Sequence, residues 1–330
     1  MRAKGITYDT GFINRGSTTR RHFDPSTVRH ELKVIRDELH CTAVRPTGGD
    51  PDRLELAATI AVEEGLEVWF SPFTCDLTRD ELLAFLADCA DRAERLRVAG
   101  GEVVLVLGAE LTLFTRGFLP GETLDDRLAL LGDPAALRAA LPAVPALVNE
   151  FLARAVEVVR RRFGGRISYA SIPFEQVDWT PFDFVGVDLY RSAEVAHVFE
   201  DAVRRLVASG KPVAITEFGS ATFRGAAARG ARGFDIVRFD GAEPAGLHGQ
   251  HERDEEEQAG YVRELLALFD EAGVDTTFVN TFASYFLPHR PTPSEDLDLG
   301  SYGVVKVRDD GTWEPKAAFA AVADHHGRMS

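Results

Sequence analysis

Three things are scarce in this chain, and each scarcity excludes something. Cysteine occurs three times in 330 residues, as Cys41, Cys75 and Cys89. An odd, sparse count excludes a disulfide framework and fits reduced thiols in the cytoplasm, each read as a small core residue rather than a nucleophile. Long apolar runs are missing: none approaches the ~18 uninterrupted residues of a membrane span. The opening Met1-Arg-Ala-Lys-Gly-Ile6 lacks the apolar centre of a signal peptide. Positive charge is in deficit, with 37 Lys and Arg against 52 Asp and Glu, a formal net charge of -15. Such a surface repels nucleic acid, polyphosphates and anionic membranes. The expectation is a cytoplasmic protein with no nucleic-acid or membrane partner, its oligomeric state left open.

What is present is ordinary globular composition, 45% hydrophobic and 27% charged, enough to build a sizeable core. The stretch that organises the rest is Lys211-Pro-Val-Ala-Ile-Thr-Glu-Phe-Gly-Ser220. A turn leads into residues 213–216, which are too few for a helix and rich in β-branched side chains, hence a buried strand. Glu217 falls where that strand ends, and Gly219 lets the chain turn.

Seven more runs read as strands: 4–11, 41–46, 66–71, 102–109, 166–172, 182–188 and 276–283. Amphipathic helices separate most of them. They open at Asp24-Pro25-Ser26, at Asp50-Pro51, at the capping box from Thr78 to Glu81, at Pro134 or Pro142, near Glu194, and at Asp254 with Glu255, Glu256 and Glu257 in its first turn. The connection from Ile172 to Phe182 is too short for a full helix, so it must be abbreviated. A further strand at 302–307 and a last helix from Pro315 to Asp324 close the chain. Eight buried strands alternating with helices predict an α/β protein, a single (β/α)8 TIM barrel over residues 1–330. Such a barrel takes ~250 residues, more with insertions. The surplus goes into extended loops at about 111–133, 220–253 and 284–300. The loop after the seventh strand is Gly/Ala-rich and irregular, the composition of a lid or a disordered segment.

In a barrel the strand ends converge on one face. That rim would gather Asp9, Arg45, Ser71, Glu110, Glu175, Asp188, Glu217 and the segment from Thr281 to Tyr285, with Tyr190 just beyond the sixth strand. Carboxylates that repel one another in one cleft raise each other's pKa, so that one stays protonated while another stays ionised. An acid beside an anion is the machinery of glycoside cleavage. Asp9, Arg45, Trp69, Glu175, Asp188, Tyr190 and Tyr285 are the candidate substrate contacts around that pair.

At this point the pattern resembles the clan A glycoside hydrolases. The segment from Lys211 to Gly219 is similar to that clan's nucleophile strand, and Leu105-Val-Leu-Gly-Ala-Glu110 sits where its acid/base strand should be. Arg45 matches the arginine that supports the nucleophile, and Tyr190 and Trp313-Glu-Pro-Lys316 also fit the pattern. The resemblance implies Glu110 as acid/base and Glu217 as nucleophile of a retaining glycosidase that needs no cofactor and takes a glycoside or other small molecule. Two departures stand against it. Ala109 replaces the clan's Asn before the acid/base, and Phe282-Ala-Ser-Tyr285 replaces its Trp platform after strand eight. They keep open a non-hydrolytic acid/base enzyme, a lyase, isomerase or cyclase of secondary metabolism. Nearly the full chain also resembles actinobacterial proteins labelled abortive infection proteins, which implies a third reading, a non-catalytic barrel in phage exclusion.

Each candidate has a plainer alternative. Glu110 could pair with Arg116 in a loop, Glu175 and Asp188 could be inter-loop salt bridges, and aromatics near strands are usually core. His248-Gly-Gln-His251 with Asp254 hints at a metal, but without a third fixed histidine it reads as a solvated loop, so no metal is expected. The glycines and arginines from Arg224 to Gly233 lack a phosphate-loop spacing.

Overall fold

The structure, a computed structural model, describes residues 1–328. The eight strands of the barrel are β1 (Ala3–Gly11), β2 (Ala43–Gly48), β3 (Glu67–Pro72), β4 (Val103–Ala109), β5 (Arg166–Ala170), β6 (Val185–Asp188), β7 (Val213–Phe218) and β8 (Thr276–Val279). They form one parallel sheet in the order β5-β4-β3-β2-β1-β8-β7-β6. The two ends meet where Ser171 lies beside Val187. There the Ser171 N–H donates to the Gly186 carbonyl at 3.1 Å and the Asp188 N–H to the Ser171 carbonyl at 2.8 Å. A side chain at Gly186 would sit 2.2 Å from the Tyr169 carbonyl oxygen, so this seam closes only over a glycine. The chain is a (β/α)8 TIM barrel, as its strand pattern predicts.

The helices of the outer ring are α1 (Pro25–Asp37), α2 (Pro51–Glu63), α3 (Arg79–Val98), α4 (Val144–Arg160), α5 (Ala196–Val207), α6 (Glu255–Ala272) and α7 (Ala317–Gly327). Their starts are those the sequence marks. Asp24, Asp50 and Asp254 cap α1, α2 and α6, and the Thr78–Glu81 capping box opens α3. Between β5 and β6 there is a single turn at Pro173–Glu175 and no α-helix, the expected abbreviation.

Alternation along the strands separates two cores. One set of residues faces the helices. The other fills the barrel, where Trp69 packs at a tilt against Phe184 and Phe278, with ring centroids 4.9 and 5.1 Å away. Gly5 makes room for Phe278, whose ring would lie 2.5 Å from a side-chain carbon there. The barrel floor is therefore solid, and only its C-terminal mouth can take a ligand.

Three regions differ from the sequence-based expectation. The 111–133 connection holds two short helices, Leu111–Phe114 and Leu124–Leu131, the second opened by a capping box from Thr123 to Asp126. The 220–253 segment carries a 3-10 helix, Gly230–Ile236, and a hairpin of Val237–Asp240 with Glu243–Leu247. It packs Phe223, Ile236 and Val237 against Leu287, Leu297 and Leu299 of the 284–300 segment, a small core of its own. The late strand is Val305–Val307, which pairs with Trp313–Pro315 outside the barrel. The helical stretch Pro134–Arg160 is long and apolar enough to cross a membrane by length and composition alone. Its C-terminal half buries Val148, Phe151, Leu152, Ala155 and Val159 in the core.

Candidate functional site

Glu217 stands at the mouth on β7, and its direction depends on an irregularity. Strict alternation would put Thr216 inside the barrel and turn Glu217 toward the helices. The β6–β7 register shifts between Val187 and Asp188, so that Asp188 lies opposite Glu217. The Glu217 side chain keeps 23% exposure and gathers three donors. Tyr190 Oη donates to Oε1 at 2.5 Å, Asn280 Nδ2 to the same oxygen at 3.0 Å, and Arg45 to Oε2 at 3.4 Å. Burial first, then the Glu217 charge, hold the Tyr190 phenol well above its ordinary pKa, so it remains a donor. Arg45 is fixed by Ser71 Oγ at 3.1 Å and the Thr216 carbonyl at 2.9 Å, with 1% of its side chain exposed. Its charge therefore serves the site and not the solvent.

Glu110 follows β4 in a left-handed conformation, with φ of 43°, and begins the short helix Leu111–Phe114. Its N–H donates to the Ala170 carbonyl at 2.9 Å. Among the described residues no group hydrogen-bonds its half-buried carboxyl. Burial first, then the charges of Asp188, Glu217 and Glu175, hold that carboxyl well above the usual range, while Arg45 pulls the other way. Arg116, its alternative partner, lies with Glu81 and Glu122 instead. Glu110 and Glu217 thus feel each other's charge across one cleft but in opposite settings. Among the described residues one carboxyl has no hydrogen-bond partner, and the other is held by three donors.

The remaining candidates sort by geometry. Arg45 and Tyr190 are in the cleft. Asp188 borders it but is 3% exposed, with Oδ1 accepting from Thr216 Oγ1 at 2.7 Å. Glu175 is corrected from a substrate contact to a buried anchor, because it is fully enclosed. Tyr169 Oη at 2.7 Å, Thr112 Oγ1 at 2.8 Å and the N–H groups of Thr112 and Ile172 surround it. Burial raises its pKa, and those donors oppose the rise. Trp69 is likewise corrected. It is fully buried in the barrel, with Nε1 donating to Glu67 at 2.7 Å, and no sugar can stack on it. Asp9 spends its carboxylate on the Gly11 N–H at 2.8 Å and Thr19 Oγ1 at 2.7 Å, bracing its own loop. The Tyr285 hydroxyl donates to Glu31, in a buried group with Arg20 and Tyr8. Among the described residues these partners, and not Glu217, take up their polar atoms.

Sequence reasoning missed Asn280 and an aromatic wall. Asn280 lay inside a run read as continuous strand; β8 ends at Val279, and a lone amide in that run was the available signal. Phe12, Phe73 and Phe114 follow β1, β3 and β4 and form a half-buried cluster with centroids 4.6–5.6 Å apart. Nothing in the spacing of three separated phenylalanines announces that they meet.

The other motifs resolve simply. Among the described residues no three His, Cys, Asp or Glu side chains are placed to hold a metal. His251 donates to the His248 carbonyl at 2.7 Å and packs on Phe223, while Asp254 caps α6. Burial raises all three thiols, Cys75 to about 12, so none is a ready nucleophile.

No protein-family model and no curated protein matches the chain. Solved structures do resemble it. Gas2p of Saccharomyces cerevisiae in complex with laminaripentaose is 14% identical with a TM-score of 0.56, covering 100% of this chain and 65% of that one. Cel5A of Thermotoga maritima in complex with cellobiose is 12% identical with a TM-score of 0.54, covering 97% of each. The chain thus spans about 65% of the length of Gas2p. At these identities the likeness is one of fold.

Proposed function

We propose that this barrel is a retaining glycosidase, with Glu110 as acid/base and Glu217 as nucleophile. The observation that carries the reading is the contrast between the two carboxyl groups. Glu217 is held by Arg45, Tyr190 and Asn280, whereas Glu110 is raised by burial and neighbouring charge and has no hydrogen-bond partner among the described residues. The oligosaccharides bound to the two fold neighbours support a glycoside as substrate.

In the first step Glu217 attacks the anomeric carbon as the bond to the leaving oxygen breaks, and that oxygen takes the Glu110 proton. In the second, ionised Glu110 takes a proton from water, and the water oxygen attacks the anomeric carbon. The ester bond to Glu217 breaks and both groups return to their starting states. Retention requires the two carboxyls to stand about 5 Å apart.

The test is turnover of a panel of activated aryl glycosides, with laminaripentaose and cellobiose as oligosaccharide probes. Glu217→Gln should abolish turnover of every substrate. Glu110→Gln should abolish it on oligosaccharides, yet lose less on glycosides whose leaving phenol needs no proton. Proton NMR of the first-formed product should show the anomeric configuration of the substrate. Product of inverted configuration, or full activity of Glu217→Gln, would overturn the assignment.

The phenylalanine wall favours a second reading, a non-hydrolytic acid/base enzyme acting on an apolar small molecule. The three tryptophans do not supply a sugar platform at this wall. Trp69 fills the barrel, Trp179 packs on Tyr169 and Phe182, and Trp313 packs on Phe282 and His30. A panel on which the wild type turns over nothing would move the weight here.

A further inference from the structure

The cleft has more carboxyl groups than it has means to ionise them. The charges of Glu217 on β7 and of Glu175, enclosed behind the cleft after β5, both act on Glu110 after β4 and on Asp188 on β6. The cation among them is Arg45 of β2. Buried carboxylates are tolerated where opposite charge or several donors compensate them. Glu217 has the arginine and two further donors. Glu175 has four donors of its own.

Asp188 has one. Its Oδ1 accepts from Thr216 Oγ1 at 2.7 Å, while its Oδ2 is enclosed and without a partner among the described residues. An ionised carboxylate offers roughly four acceptor sites, so a single donor leaves it badly under-satisfied. The backbone gives it no room to turn away. Its N–H is fixed to Ser171 in the barrel seam, and it lies in register with Glu217.

We propose that Asp188 is a positioning residue that works as a neutral carboxylic acid, and that its ionisation sets the alkaline limit of activity. The proposal rests on the glycosidase reading only for its kinetic consequence. Burial first, then the Glu217 charge, push the Asp188 carboxyl up to about 7, against the pull of Arg45 and Thr216. While Asp188 keeps its proton, Arg45 answers a single neighbouring anion, Glu217. Once it ionises, two carboxylates in register on adjacent strands share that one guanidinium. The contact of Arg45 with Glu217, 3.4 Å in the present arrangement, is then contested.

Asp188→Asn fixes the neutral form with nearly the same shape. In a pH profile of kcat and kcat/KM on an aryl glycoside, the variant should lose less than about tenfold below neutrality. Its alkaline limb should move up by about one pH unit or more. Thr216→Val, which removes the one donor, should move the limb the same way in a chain that still carries Asp188. A loss of about a hundredfold at every pH in a folded Asp188→Asn protein would mean that Asp188 acts as an anion, and an unmoved limb would mean another group sets the limit. Either result overturns the proposal.

A second readout does not need turnover. Carbon-13 NMR of aspartate-labelled protein should show one carboxyl titrating near neutrality that is lost in Asp188→Asn. If the Asp188 signal titrates in the ordinary aspartate range, the proposal fails even if the protein is a glycosidase. If it titrates near neutrality while no glycoside is turned over, the glycosidase reading fails and the neutral Asp188 stands.

Discussion

Tyr190 donates to the oxygen of Glu217 that Asn280 also reaches, so two donors fix one carboxylate oxygen and leave the other to Arg45. A hydrogen bond to a charged group is worth about 1.5–3 kcal/mol, so Tyr190→Phe should lower kcat by roughly ten- to a hundredfold with little change in KM. Steady-state kinetics of that variant check this; a change confined to KM would place Tyr190 on the substrate instead. At this scale the sequence was partly legible. Glu110, Glu217, Arg45 and Tyr190 could be found because each sits at or just past the end of an apolar run. Trp69 and Glu175 could not be judged, because their burial comes from strands and loops distant in sequence. The same holds for Tyr285, whose partner Glu31 lies 254 residues away.

Among the elements, the strands were legible and the long loops were not. The strands announce themselves by apolar runs between Gly, Pro and polar turns. The 220–253 segment has no such period, because its order comes from packing against 284–300 rather than from its own pattern. Phe223, five residues past the end of β7, is the large side chain through which the 220–253 segment enters this small core. Replacing a buried phenylalanine by alanine costs about 3–5 kcal/mol. Phe223→Ala should therefore loosen the 221–236 and 286–302 regions together. Amide hydrogen exchange should speed up in both while the barrel strands stay protected. Faster exchange throughout the barrel would mean that the two loops and the barrel form one cooperative unit. Thr123 to Asp126 carries a signal that the reading of 111–133 as one extended loop passed over: a capping box that opens the Leu124–Leu131 helix.

The whole molecule carries the cost of its site. A closed barrel brings strand ends from distant parts of the chain onto one mouth, and here that leaves three carboxyls, Glu110, Asp188 and Glu217, to one arginine, Arg45. Asp188 goes from an ordinary 3.8 to about 7 on folding. Between those values the folded chain holds a proton there that the unfolded chain has lost. Stability follows the proton difference, so this group's contribution is fully present below 3.8 and is lost as pH rises through about 7. Denaturant midpoints measured across that window should thus fall more steeply with pH for the wild type than for Asp188→Asn. The variant should be the more stable protein on the alkaline side, where the wild type must bury a second anion beside Glu217. Parallel curves for the two proteins would show that Asp188 titrates alike in the folded and unfolded chains. A steeper fall in the wild type would show that stability and the electrostatics of the mouth depend on the same proton.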